Sequence, residues 1–333
     1  DIDFPTKLEL TFIGPRNLKY LYKISVLNEE IISEELFYFP KGKESILFAR
    51  TYQNLYDTIH IGNLKGKAGK KQVNVFNNQT VLSKFSDDEP HELLTDVFLY
   101  FRNMSVVNAQ NIEHKKLIEN NVSQFYYKNS DLKMKLDKLI RFADTKIKSI
   151  KIQKRSLPNS NDYRNLAMEN NPNIDYLESY AVFSVHNIYN NKKIIGETTL
   201  SMGQESLGTQ SLYSLGGEII GALEHGSVVI IDELDNSLHP YITKLLVLLF
   251  HSEKTNPNNA QLIFTSHDVT LLDRNTIRRD QIWFTEKNEQ GISELFSLRD
   301  FEEVREDTPF DKWYLSGRFG AIPDLKSVDS IFD

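Results

Sequence analysis

The 333 residues contain no cysteine, which excludes disulfides and thiolate metal sites together. No stretch approaches the roughly 18 consecutive apolar residues that a membrane-spanning helix needs. The opening DIDFPTKLEL has no signal-peptide pattern, so the expected setting is cytoplasmic, with no membrane partner. The eight histidines do not fall at zinc-ligand spacings. Sustained heptads of the coiled-coil kind are absent, and there is no internal repeat. None of the fifteen glycines opens G-x-x-x-x-G-K-S/T, the loop that cradles phosphates in many nucleotide-binding proteins. The nearest approach, Gly62 to Ala68, has one residue too few between its glycines and ends in Ala instead of Ser or Thr.

What is present is the composition of a globular protein, 40% hydrophobic and 26% charged, long enough for one large or two ordinary domains. Lys and Arg total 39 against 46 Asp and Glu, a formal charge of -7, so the chain as a whole is no evident polyanion binder. One segment runs the other way. From Lys133 to Arg155, nine basic residues face only Asp137 and Asp144. Such a run is either a solvated helix face or a contact for nucleic acid or an acidic partner, through Lys133, Lys135, Lys138, Arg141, Lys148 and Lys151. A smaller cluster, LKGKAGKK at 64–71, reads as a loop tip.

The first part of the chain has the period of strands. Leu8, Leu10 and Phe12 alternate with polar residues, as do Tyr20, Tyr22, Ile24 and Val26, and a short Asn28-Glu29 connection leads to Ile31 to Phe39 and then Ile46 to Ala49. Connections this short admit no crossover helices and predict an antiparallel meander. From about Pro90 the period becomes helical, with Leu93, Leu94, Val97, Phe98 and Phe101 on one face and Leu132, Leu136, Leu139, Ile140 and Ala143 on another. The Asn-rich stretch from Leu157 to about Asn173 reads as a surface loop. Three segments result: an antiparallel β part at 1–78, a helical segment at 79–146 and a C-terminal core at 147–333.

The last third alternates strand and helix. Leu212, Leu215, Ile219 and Leu223 mark a helix that Gly226 ends, Ser227 to Ile231 is a strand, a second helix opens at Pro240, and Gln261 to Thr265 is another strand. This spacing is a parallel βαβ crossover, whose carboxyl strand ends form the functional edge. Asp232 and Glu233 follow the first strand; Ser266, His267 and Asp268 follow the second. Phosphoryl transfer to water needs such groups. Asp232 can offer an oxygen to magnesium, Glu233 can orient or deprotonate the attacking water, and His267 can hold phosphate or water from the other side. Upstream, Ser206, Gly208 and Thr209 open a helix whose N–H groups suit an anion. Each element alone is commonplace; the order and spacing carry the argument, with Asp232 26 positions after Ser206 and His267 34 after Glu233.

Ser206-Leu207-Gly208-Thr209, VVIIDELDNSLHP and LIFTSHD resemble the signature motif, Walker B, D-loop and H-loop of ABC-type ATPases. With RRDQIWFTEK and WYLSGRFGAIPDL, the chain is similar to a family of bacterial ATP-binding proteins that includes AbiLi-like abortive-infection ATPases and relatives in Septu, PARIS and retron anti-phage systems. That resemblance implies an α/β fold, a P-loop NTPase of ABC-ATPase type with an antiparallel β-meander subdomain and a helical segment. It implies ATP and magnesium as cofactors, and a homodimer closing head to tail. Asp232, Glu233 and His267 of one subunit would then meet Ser206 and Gly208 of the other, with Asp235 at the junction, and the partner would be an effector such as a nuclease. A basic residue often follows the Gly-Thr pair in the family, where this chain has Gln210. The resemblance also puts the phosphate loop upstream of the stretch matching Asp1 to Ile13. The expectation is therefore a shortened or divergent member that binds ATP weakly by itself. An SMC- or RecF-like DNA-repair ATPase and a non-catalytic dimerising scaffold stand as alternatives.

Overall fold

The computed structural model describes residues 4–51, 56–61, 72–86, 91–109, 111–143, 145–155, 179–305 and 307–323. The expected loop tip at 64–71, the near-match at Gly62 and the Asn-rich loop lie outside them. The chain divides into two compact units, Asp1–Met104 and Ser105–Asp333.

The first unit is the expected meander. Strands β1 (Thr6–Ile13), β2 (Lys19–Leu27), β3 (Glu30–Tyr38) and β4 (Ser45–Thr51) pair antiparallel in sequence order. Asn28 in the β2–β3 connection takes the left-handed backbone (φ 55°) that a tight hairpin turn needs. A second pair, β5 (Tyr56–His60) and β6 (Gln72–Phe76), and helix α1 (Leu94–Arg102) complete the unit. Its core gathers Phe12, Tyr20, Leu36, Phe48, Val75, Phe85, Leu94 and Val97. The alternation in β1 is only partly used: Phe12 is buried and stacks on Tyr20 and Tyr100, whereas Leu8 and Leu10 stay exposed at the sheet edge.

A charged residue sits inside this core. Glu34 on β3 is fully buried and accepts from the Tyr22 hydroxyl (2.9 Å), the Val81 N–H (2.6 Å) and the Leu82 N–H (3.4 Å). Burial raises its carboxyl above the usual range, opposed by those hydrogen bonds and by Arg50. Because the folded value is raised, the stability contributed by Glu34 is full below the ordinary carboxylate range and is lost as pH climbs through the folded value. The urea midpoint of the full chain should therefore fall more steeply with rising pH in the parent than in a Glu34→Gln variant; parallel profiles would remove Glu34 as the cause.

The second unit is built around one helix. Strand β7 (Ser105–Asn108) is followed by α2 (Ile112–Lys128) and α3 (Ser130–Phe142), then β8 (Ser149–Arg155), β9 (Ser179–Asn190) and β10 (Lys193–Ser201) in a sheet ordered β10-β9-β8. Helix α4 (Leu207–His225), β11 (Val228–Asp232), α5 (Pro240–Leu248) and β12 (Gln261–Phe264) follow. The stripe Leu212, Leu215, Ile219 and Leu223 is buried as the periodicity predicts, and so are Tyr213, Gly216, Gly217 and Ile220 on the other faces. A helix buried nearly all round is a core element, and α4 packs against α2 and α3. It ends at Gly226, in the left-handed conformation (φ 66°), where the Asn258 amide donates to the Leu223 and Glu224 carbonyls left open at the helix end.

Strands β7, β11 and β12 form a parallel sheet with β11 in the middle, Ile231 opposite Phe264 and Val107, and Asp232 opposite Asn108. The β11–α5–β12 crossover is the one the spacing predicts. The strand β7 is not: it lies in the segment that reads as helical, and four residues are too few to show a period. A terminal cluster, with β13 (Trp283–Lys287), β14 (Ser293–Ser297) and α6 (Phe310–Leu315), closes over Phe284, Leu298, Phe310 and Phe319. Among the described residues no helix is long and apolar enough to cross a membrane.

Part of the basic segment is paired within the chain. Lys133 pairs with Asp137 (2.8 Å), Lys135 with Glu224 (2.6 Å) and Lys148 with Glu197, while the Arg141 Nε donates to the Asp137 carbonyl (3.3 Å). At least three of its nine basic side chains thus meet a carboxylate of the same chain.

Candidate nucleotide site

The parallel register puts the ends of β11 and β12 on one rim. Asp232 is the last residue of β11, exposed, and its Oδ1 accepts from the Thr265 hydroxyl at 2.6 Å. The same hydroxyl oxygen accepts from the Glu233 N–H at 2.8 Å, and the Thr265 carbonyl accepts from the Leu234 N–H at 3.0 Å. One threonine therefore fixes both the carboxylate of Asp232 and the backbone of Glu233. Glu233 takes a left-handed backbone (φ 56°), a conformation that costs a side-chain-bearing residue about 1–3 kcal/mol and gathers at functional positions. That turn keeps Glu233 at the rim. Its Oε1 lies 3.9 Å from the His267 Nε2, too far for a hydrogen bond, and the imidazole is 85% exposed. The His267 N–H donates to the Asp235 Oδ1 at 3.2 Å, so the turn after β11 and the segment after β12 are tied together. Asn236 donates to the Ala109 carbonyl at 3.1 Å, and the Ala109 N–H donates to the Asp232 carbonyl at 3.3 Å, which adds the end of β7 to the same rim.

Ser206, Gly208 and Thr209 form a second cluster. Ser206 is the N-cap of α4, its hydroxyl oxygen accepting from the Thr209 N–H at 3.2 Å and lying 2.9 Å from the Thr209 hydroxyl. Gln210, where a basic residue is expected, turns inward and donates from its side-chain amide to the Glu205 carbonyl at 2.8 Å. The two clusters approach each other at Gly208. A Cβ on Gly208 would lie 2.8 Å from the Ser237 carbonyl oxygen, so only glycine lets the opening turn of α4 approach the turn after β11 this closely.

Asp232, Glu233, Asp235 and His267 are thus brought together, while Ser206 and Thr209 lie beside them through the close approach of Gly208 to Ser237. Thr265, Asn236 and Ala109 complete the rim. Sequence reasoning missed Thr265 as a site residue although it stands two positions before His267, because a hydroxyl bridging two strand ends leaves no periodic trace. Among the described residues, no group of three or more His, Asp or Glu is arranged to enclose a metal ion. One exposed carboxylate held by a hydroxyl does fit magnesium, which keeps most of its waters and is commonly shared between one or two protein carboxylates and substrate phosphates.

No curated protein matches the sequence. Among solved structures, the crystal structure of the SmcHead bound to the C-winged helix domain of ScpA is similar at 10% identity, covering 87% of this chain and 79% of that chain, with a TM-score of 0.38; a likeness this faint carries no argument. The family comparison is decisive. A model described as "AAA domain, putative AbiEii toxin, Type IV TA system" matches residues 1–273, and the chain belongs to that family of AAA-type ATPase domains.

Proposed function

We propose that the chain is the ATPase head of a bacterial anti-phage, abortive-infection system, which binds and hydrolyses ATP in a head-to-tail dimer and thereby controls an effector protein such as a nuclease. One observation carries the reading: Asp232, Glu233 and His267 stand on a single rim at the carboxyl ends of adjacent parallel strands, with Thr265 locking the first two. The family description, which couples an AAA domain to a toxin system, supports the effector role.

In this reading Asp232 contributes a magnesium ligand and Glu233 accepts the proton of the attacking water, a role typically worth about 10²- to 10⁴-fold. His267, exposed and near Glu233, steadies the phosphate or the water. Magnesium, when bound, neutralises charge developing on the transferred phosphoryl group. Ser206, Gly208 and Thr209, exposed or half-buried at the N-terminus of α4, present a hydroxyl and N–H groups to the nucleotide held by the partner copy, and Asp235 sits where the two sites join. Hydroxyl and N–H donors suit the terminal phosphate, whose charge an N-terminal helix dipole also favours.

Sedimentation of the full-length protein tests this. Magnesium and ATP should convert monomer to dimer, and Glu233→Gln should hold that dimer because the nucleotide is not consumed. A protein that stays monomeric with ATP in both forms would defeat the head-to-tail reading.

A further inference from the structure

Three polar side chains meet at the residue just before Ser206. Ser184 and His186 project from β9, and both reach the same oxygen of Glu205: the Ser184 hydroxyl donates to Oε1, and the His186 Nε2 lies 2.7 Å from it. Ser184 is fully buried, and the side chains of His186 and Glu205 are 22% and 13% exposed. A carboxylate only accepts, so the proton is on Nε2. Serine, histidine and an acid together invite comparison with a hydrolytic triad, but the geometry refuses it. In a triad the imidazole stands between the other two and uses a different nitrogen for each, whereas here Ser184 (3.1 Å) and Glu205 (2.7 Å) approach the same Nε2. With its hydroxyl buried and already committed to Glu205, Ser184 has no path to a substrate.

The cluster does something else. Glu205 is bound at both ends, its carboxylate to the middle strand of the β10-β9-β8 sheet and its carbonyl to Gln210 in the first turn of α4. The segment before it is braced too, the Ser201 N–H donating to the Gln204 side chain at 3.0 Å. Ser206 itself is exposed, and among the described residues its hydroxyl bonds only to Thr209. Ser206 is thus held from both sides, by Glu205 before it and by the first turn of α4, where its carbonyl accepts from the Gln210 N–H at 3.0 Å.

We infer that Glu205 is a positioning residue for the signature segment: clamped by Ser184 and His186, it sets how Ser206 and the first N–H groups of α4 are presented to the nucleotide. This rests on the ATPase reading above. Because a partner-bound nucleotide meets these groups only on closure, the clamp acts on turnover and leaves nucleotide capture by the other subunit alone. Misplacement of a contact group by about 1 Å can cost as much as 100-fold in rate.

The test uses Glu205→Ala, Glu205→Gln and His186→Phe in the full-length protein, with kcat and KM for ATP measured beside amide hydrogen exchange of residues 207–210. Loss of the clamp in Glu205→Ala and His186→Phe should speed exchange there and lower kcat by about tenfold with KM nearly unchanged. Glu205→Gln, whose amide oxygen accepts both bonds, should restore both readouts to within about twofold. Exchange at 207–210 unchanged in Glu205→Ala overturns the inference, as does a Gln variant no better than Ala. A parent protein without ATPase activity would sink the ATPase reading instead, and the exchange arm, with its Gln rescue, would still decide the clamp.

Discussion

ATP hydrolysis by the full-length protein should fall by about 10²- to 10⁴-fold when Glu233 is replaced by glutamine, the loss expected when a general base is removed. Glutamine keeps the size of the side chain and its N–H bond to Thr265; what it removes is the capacity to accept a proton. The loss should therefore fall on kcat, with KM for ATP little changed. Thr265 supplies the internal control. Thr265→Val is nearly isosteric but deletes the hydroxyl that holds the Asp232 carboxylate and receives the Glu233 N–H, and groups that orient a metal-binding carboxylate are typically worth about 10- to 100-fold. Thr265→Ser should recover most of that loss. A Glu233→Gln protein as active as its parent would mean that another group activates the water, and a Val variant equal to the Ser variant would mean that the Thr265 hydroxyl is incidental.

The second large effect is on stability. Gly226→Ala should cost about 3 kcal/mol, from two sources that add: an L-residue in the left-handed region costs about 1–2 kcal/mol, and a new methyl forced into a filled space costs about 1–3. The space is filled by backbone, because a Cβ on Gly226 would lie 2.4 Å from the Asn258 carbonyl oxygen. The residue cannot move aside cheaply, since Asn258 is bound through its side chain to the last carbonyls of α4 and the Ser227 N–H closes on Ala222. Urea unfolding of the full chain measures the loss. A change under about 1 kcal/mol would show that the turn reforms around the methyl.

The parts of this molecule visible in the sequence are those with a period or a punctuation mark. The stripe of α4, its stop at Gly226, Pro240 at the first position of α5 and the apolar runs of β11 and β12 each repeat or break a local pattern, and the structure has all of them where the spacing predicts. The place of Asp232 and Glu233 is legible for the same reason, since residues that follow adjacent parallel strands share a rim. What was not legible is made of distance. Strand β7 is defined by pairing with β11, more than 120 residues away, and its four residues carry no period. Lys135 reads as free charge until folding sets it against Glu224. The bonds of Thr265 to Asp232 and of His186 to Glu205 likewise join residues that no local pattern connects.

The left-handed turn at Glu233 has a consequence for anyone engineering the protein. Glycine or asparagine would occupy that backbone with less strain than glutamate does. A screen that rewards only heat resistance or expression would therefore drift toward Gly or Asn at 233, yielding sturdier proteins without the carboxylate to which the proposed function assigns the attacking water.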